Sequence, residues 1–162
     1  MQGQLVQALR AQHVNIRERW TELLRAEPVN SPLGNPDALV HLIDWTLEEV
    51  IGALSVLPSR RHAAQSIHDS IASCACGRNP LLTYFTSGEQ AMREALVLAQ
   101  AATLHLDAIE RDASMHELDL IIREIARREI EAFCGVCQFR EHAQVVPFES
   151  GHVAVAGHHA SG

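Results

Sequence analysis

The chain has 162 residues, of which 47% are apolar and 20% are charged. This length and composition predict one folded domain and exclude global disorder. The formal net charge is −7. Because nonspecific nucleic-acid binding needs clustered Lys and Arg to displace counterions, the acidic balance argues against a nucleic-acid partner.

The sequence gives no sign of a membrane span or a secretory leader. No segment approaches the ~20 continuous apolar residues of a membrane helix. The first residues, MQGQLVQALRAQ, lack the charged start and apolar core of a signal peptide. We therefore expect a cytoplasmic protein without a membrane partner. In the cytoplasm thiols stay reduced, so paired cysteines indicate metal or redox chemistry rather than structural disulfides.

Apolar residues recur at helical spacing through most of the chain. In the N-terminal half, this pattern predicts helices over 4–26, 36–56 and 59–73. Asn35 is a good N-cap residue, and Pro36 suits the first helical position. The same Asn-Pro pair recurs at Asn79 and Pro80.

In the C-terminal half, the apolar segment 81–85 reads as a short turn. Residues Ser87 to Gln90 resemble a capping box that opens a long helix over 88–110. A further helix is predicted over 113–133. We expect a turn around 111–114, because a single helix through both would far exceed the usual ~10–14 residues.

Together these patterns predict an all-α fold, a single-domain helical bundle of about five helices with an irregular C-terminal tail. The bundle, with its cysteine site, would occupy 1–142 and the irregular or partly disordered tail 143–162. Helices do not alternate with strands, which excludes sheet-based nucleotide-binding and thioredoxin folds.

The strongest chemical signal is the placement of the four cysteines in two close pairs: Cys74 with Cys76, and Cys134 with Cys137. Four thiolates suit Zn²⁺ in a closed tetrahedral site. An iron–sulfur cluster uses the same donors and is the alternative cofactor. A dithiol–disulfide switch without metal, and four incidental cysteines, stay open as further interpretations.

Topology supports convergence of the two pairs. Each pair follows a predicted helix, and the helices before them are separated by one long helix. Short connections place successive helices antiparallel, so the helices over 59–73 and 113–133 should run parallel. Both pairs would then emerge at the same end of the bundle.

The combination of a CxC and a CxxC pair resembles the zinc site of a redox-switched heat-shock chaperone, in which oxidation releases zinc. Only this ligand pattern is shared, so the resemblance is one of chemistry. The CGVC segment is also similar to the CGxC of thioredoxin-like oxidoreductases. There the first cysteine opens a helix, whereas Cys134 ends one, where the helix dipole disfavours a thiolate.

Other chemistry has weak support in the sequence. The chain has no HExxH, nucleophile elbow, P-loop or GxGxxG, so nothing requires an enzyme. A haem or other planar ligand between helices could use His41 or His105. The acids Glu110, Asp112, Glu117 and Asp119 read as solvated helix faces rather than catalytic pairs.

We therefore expect a metal-binding helical domain, with zinc as the first candidate, whose site is structural or redox-sensing. Its role would be regulatory, acting on an unidentified protein partner or a second copy of the chain. The alternatives are a helical sensory module with a small ligand or haem between helices, and an iron–sulfur protein.

Overall fold

The computed structural model describes residues 1, 3–27, 35–56, 79–103 and 105–136. In these ranges the backbone is helical and has no strand, which confirms the predicted all-α bundle. The predicted helix over 59–73 and the tail over 143–162 lie outside the described residues. The helices are α1 (Gly3–Ala11), α2 (His13–Ala26), α3 (Pro36–Leu39), α4 (Ile43–Ser55), α5 (Pro80–Ala102) and α6 (Ala108–Val136).

The helix predicted over 4–26 is divided at Gln12, which separates α1 from α2. Gln12 has φ −92° and ψ 8°, outside the helical minimum. Its backbone N–H still donates to the Ala8 carbonyl at 3.2 Å. Its side-chain amide donates to the Ala95 carbonyl of α5 at 3.4 Å. The interruption thus ties the α1–α2 junction to the long helix α5.

The second predicted helix begins as expected. The Asn35 side chain accepts a hydrogen bond from the Asp37 N–H at 3.0 Å, and Pro36 occupies the first helical position. The chain then tightens into a 3₁₀ turn at Val40–Leu42 before α4 continues to Ser55. The region predicted as one helix over 36–56 is therefore three consecutive helical pieces.

Helix α5 begins earlier than predicted. It starts at Pro80 and runs without a break through 81–85 and through Ser87 to Gln90. The predicted apolar turn and capping box are therefore wrong. Ser87 and Gly88 are buried inside the helix, where Gly88 faces the Trp20 ring of α2.

The break between the two long helices also falls earlier than predicted, at 103–107 instead of 111–114. Asp107 and Glu110 form a reciprocal pair there. The Asp107 side chain accepts from the Glu110 N–H at 2.7 Å, and the Glu110 carboxylate accepts from the Asp107 N–H at 3.1 Å. This capping box starts α6.

Helices α5 and α6 pack against each other in antiparallel fashion. Gln100, near the end of α5, donates to Ser114, near the start of α6, at 2.8 Å. At the other end Asn79, which precedes α5, donates to the carbonyl of Ile130 at 3.4 Å. The start of α5 and the end of α6 therefore meet at one end of the bundle.

One hydrophobic core joins α1, α2, α4, α5 and α6. Aliphatic side chains supply most of it, and aromatic rings of α2 and α5 fill its centre. Its largest fully buried side chains are Trp20, Tyr84, Phe85, Leu5, Leu9, Ile16, Ile43, Leu47, Ile51, Leu54, Met92 and Leu96.

Candidate metal centre

The structure describes one of the four predicted ligands, Cys134. It lies in the last turn of α6, with 9% of its surface exposed. Cys74, Cys76 and Cys137 lie outside the described residues. Across the described ranges, no group of three or more His, Cys, Asp or Glu side chains is placed to hold a metal ion. The four-cysteine site therefore stays a prediction.

The side chain of Asn79 joins the start of α5 to Cys134. Its Oδ1 accepts from the Leu81 N–H at 3.0 Å and so caps α5. Its Nδ2 lies 3.4 Å from the Sγ of Cys134, a normal distance for an N–H···S hydrogen bond. The same Nδ2 lies 3.4 Å from the Ile130 carbonyl, which is long for N–H···O. Asn79 is 5% exposed, so this junction is closed to solvent.

The backbone partners fix the orientation of the Asn79 amide. The Leu81 N–H can only donate, so it requires the amide oxygen on its side. The Ile130 carbonyl can only accept, so it favours the NH₂ group on the other side. The group that faces the Cys134 sulfur is therefore a hydrogen-bond donor.

This contact lies at the end of the bundle where α5 starts and α6 ends. Cys76 precedes Asn79 by three residues, and Cys137 follows Cys134 by three. Three residues span at most about 11 Å of extended chain. A tetrahedral Zn–S₄ site needs sulfurs about 3.8 Å apart, given Zn–S bonds of about 2.3 Å. Chain length thus permits both pairs to converge on one ion.

Two features define the surroundings of the Cys134 sulfur. It lies in the last turn of α6, near the negative end of the helix dipole, and the residue is 9% exposed. The Asn79 amide presents an N–H donor to it. Metal ligands in proteins commonly accept hydrogen bonds of this kind from neighbouring side chains.

The sequence identified Asn79 only as a helix cap. Its contact with Cys134 was missed because that contact depends on the antiparallel packing of α5 and α6. The one available signal was position, since Asn79 follows Cys76 closely in the segment CACGRNP.

The histidines considered for a planar ligand lie at the surface. His41, in the 3₁₀ turn before α4, and His105, between α5 and α6, are both exposed. Their positions therefore give no support to a haem held between helices.

A cluster of charged side chains between α5 and α6 corrects the reading of Asp119 as a solvated acid. Both Asp119 carboxylate oxygens accept from Arg93 at 2.7 Å, and the Asp119 side chain is 16% exposed. Glu89, which lies within the segment predicted as a capping box, pairs with Arg93 at 2.7 Å and with Arg123 at 3.1 Å. The hydrogen bond to Asp119 raises the pKa of Arg93, against the opposing effect of burial. Two cations face two anions here, so we interpret the cluster as a structural contact.

None of the helices in the described ranges is both long and apolar enough to cross a bilayer. Comparison of the chain with protein-family models, with curated proteins and with solved structures gave no match.

Proposed function

We propose that this chain is a small helical metal-binding domain in which Cys74, Cys76, Cys134 and Cys137 hold one metal ion. Zinc is the first candidate, since four thiolates form a closed tetrahedral sphere around it. An iron–sulfur cluster is the alternative cofactor for the same donors. The site is structural or redox-sensing, and the domain acts as a regulatory module.

The contact between Asn79 and Cys134 is the observation that best supports this proposal. It joins the chain that follows the first cysteine pair to the first cysteine of the second pair. The antiparallel packing of α5 and α6 also supports it, since it is one part of the topology expected to bring the two pairs together. The other part, the helix predicted over 59–73, lies outside the described residues.

A closed sphere of four thiolates has a chemical consequence. It leaves no open position at which a substrate or water could bind, so zinc would not act as a Lewis-acid catalyst here. Two roles follow. The ion can staple the start of α5 to the end of α6, or it can release its thiolates when they are oxidised.

The proposal is tested by elemental analysis and a visible spectrum of the full chain purified under reducing conditions. We expect about one zinc per chain and no visible absorption. Visible bands with stoichiometric iron and sulfide would assign the cluster instead.

The matched controls use cysteine-to-serine variants. We expect Cys74→Ser combined with Cys137→Ser to abolish stoichiometric metal, since each pair would keep only one thiolate. The control is Ser55→Ala, which removes a hydroxyl that donates to the Ile51 carbonyl within α4. Stoichiometric metal that survives in the double variant would contradict the proposal.

A further inference from the structure

We infer that Asn79 is the positioning residue of this centre, donating a hydrogen bond to the metal-bound sulfur of Cys134 while it caps α5. This inference rests on the proposed function. It adds to the four cysteines a residue that contacts a ligand and not the metal itself. Through that residue the metal would be linked to helix α5.

The geometry suits this role because neither end of the amide is free to turn. The Leu81 N–H holds Oδ1 at 3.0 Å, and the Asn79 residue is 5% exposed. A donor held in one orientation can set the position of a ligand sulfur before the metal binds. Outer-shell hydrogen bonds of this kind orient ligands and commonly change metal affinity by about 10–100-fold.

Comparison with Asn35 separates the two roles of the side chain. Asn35 also precedes a proline, and its Oδ1 also accepts a backbone N–H two residues on, at 3.0 Å. Asn35 is exposed, whereas Asn79 is 5% exposed and contacts Cys134. Capping alone therefore requires neither the burial nor the sulfur contact of Asn79.

The shared side chain connects metal binding to the first turn of α5. A shift of Cys134 on metal loss would move the amide, which would weaken the cap on the Leu81 N–H.

The experiment titrates cobalt(II) into the reduced full chain and into cap-preserving variants. Asn79→Ser keeps a capping oxygen, and Asn79→Asp keeps Oδ1 and replaces the donor with an acceptor. We expect cobalt to bind both variants about 10–100-fold more weakly than wild type. We also expect the sulfur-to-cobalt charge-transfer band to move to longer wavelength, because a thiolate without its hydrogen bond gives up electron density more easily.

The controls are Asn35→Ser and Asn35→Asp, which should leave the cobalt affinity and band unchanged. Asn79→Ala should reduce both thermal stability and affinity. Asn79→Ser should recover stability but not affinity, a separation that a purely structural role would not produce. If Asn79→Asp does not fold, as judged by circular dichroism, Asn79→Ser decides the question.

Tight cobalt binding with an unshifted band in Asn79→Ser would overturn the role of Asn79. A wild-type chain that binds no cobalt would contradict the proposed function itself. The two failures are therefore distinguishable in one titration series.

Discussion

The indole ring of Trp20 lies directly against the backbone of Gly88, and its Nε1 donates to the carbonyl of Tyr84 at 2.9 Å. Since Tyr84 and Gly88 are one helical turn apart on α5, Trp20 covers that turn from α2. A methyl group at position 88 would overlap the Cζ2, Cε2 and Cη2 atoms of the ring. Gly88 is therefore required by packing, and not by backbone conformation.

Replacing Gly88 with alanine should destabilise the fold. Trp20 is 1% exposed, so its ring has no room to withdraw. Overpacking of a filled core costs typically about 1–3 kcal/mol. We expect Gly88→Ala to lower the free energy of unfolding by that amount, as measured by urea denaturation.

Gly52 provides the matched control for this prediction. It lies within α4 and is exposed, and an added methyl group would meet no side chain or other helix within 4 Å. Alanine there should raise stability by about 0.5–1 kcal/mol, since it reduces the entropy lost in helix formation. Equal effects at the two positions would contradict the packing described for Trp20.

The buried phenol of Tyr84 should make stability fall at alkaline pH. Burial, with a smaller effect from the Asp44 carboxylate, raises the pKa of Tyr84 well above its ordinary value, and the hydrogen bond to Thr46 opposes this. Above a pH of about 10 the unfolded chain loses the phenolic proton while the folded chain keeps it. The free energy of unfolding therefore falls by up to about 1.4 kcal/mol per pH unit, until the pH reaches the pKa of Tyr84 in the folded chain.

Tyr84 is the chain's single tyrosine, so phenolate absorbance reports it alone. We expect this absorbance to rise together with the loss of helical circular dichroism. Tyr84→Phe should lack the alkaline loss of stability, although at neutral pH it should cost about 1 kcal/mol because the 2.8 Å bond to Thr46 is removed. Phenolate formation near pH 10 in a fully helical chain would refute the burial of this ring.

The ion pair between Arg93 and Asp119 should contribute measurably to stability. It is bidentate, with both bonds at 2.7 Å, and the Asp119 side chain is largely buried. A double-mutant cycle with Arg93→Gln and Asp119→Asn should give a coupling energy of about 1–2 kcal/mol. This is less than a fully buried ion pair would give, because the Arg93 side chain is 39% exposed.

The pair between Arg19 and Glu94 is the control for that cycle. Both of its side chains are 42% exposed, so solvent and salt should screen it more strongly. We expect a smaller coupling energy that disappears as ionic strength rises. A larger coupling energy for this pair than for Arg93 and Asp119 would contradict the difference in solvent exposure between the two pairs.

Local helix signals predicted some boundaries correctly and others wrongly, for identifiable reasons. The caps at Asn35 and Asn79 depend on a side chain and a backbone N–H two residues away, so sequence alone is sufficient. The capping box opening at Ser87 was wrong because Gly88 is a site of interhelical packing, which local sequence does not show. The box formed by Asp107 and Glu110 was present in the sequence but was overlooked.

The candidate site could likewise be predicted only in part from the sequence. The pairing of the cysteines is a property of the sequence, and so is the topology that predicts their convergence. The Asn79 contact with Cys134 joins residues 55 positions apart and follows only from the packing of α5 on α6.

If the centre senses oxidants, hydrogen peroxide should release zinc from the loaded chain. Each pair of thiolates would lose two electrons to one peroxide, which takes up protons to form two waters while the sulfurs form a disulfide. We expect zinc release, loss of free thiols and a larger hydrodynamic size, all reversed by a dithiol. Thiols that stay inert at millimolar peroxide would leave only the structural role, in which a chelator lowers the melting temperature of the reduced protein.

The central claim is that four sulfurs surround one ion, and X-ray absorption spectroscopy of the zinc-loaded, reduced chain tests it most directly. The account predicts a first shell of four sulfur atoms at about 2.3 Å. It also predicts that Cys134→Ser lowers the sulfur count. A first shell of nitrogen or oxygen at about 2.0–2.1 Å would show that histidine, carboxylate or water ligands hold the zinc, and it would contradict the four-cysteine centre.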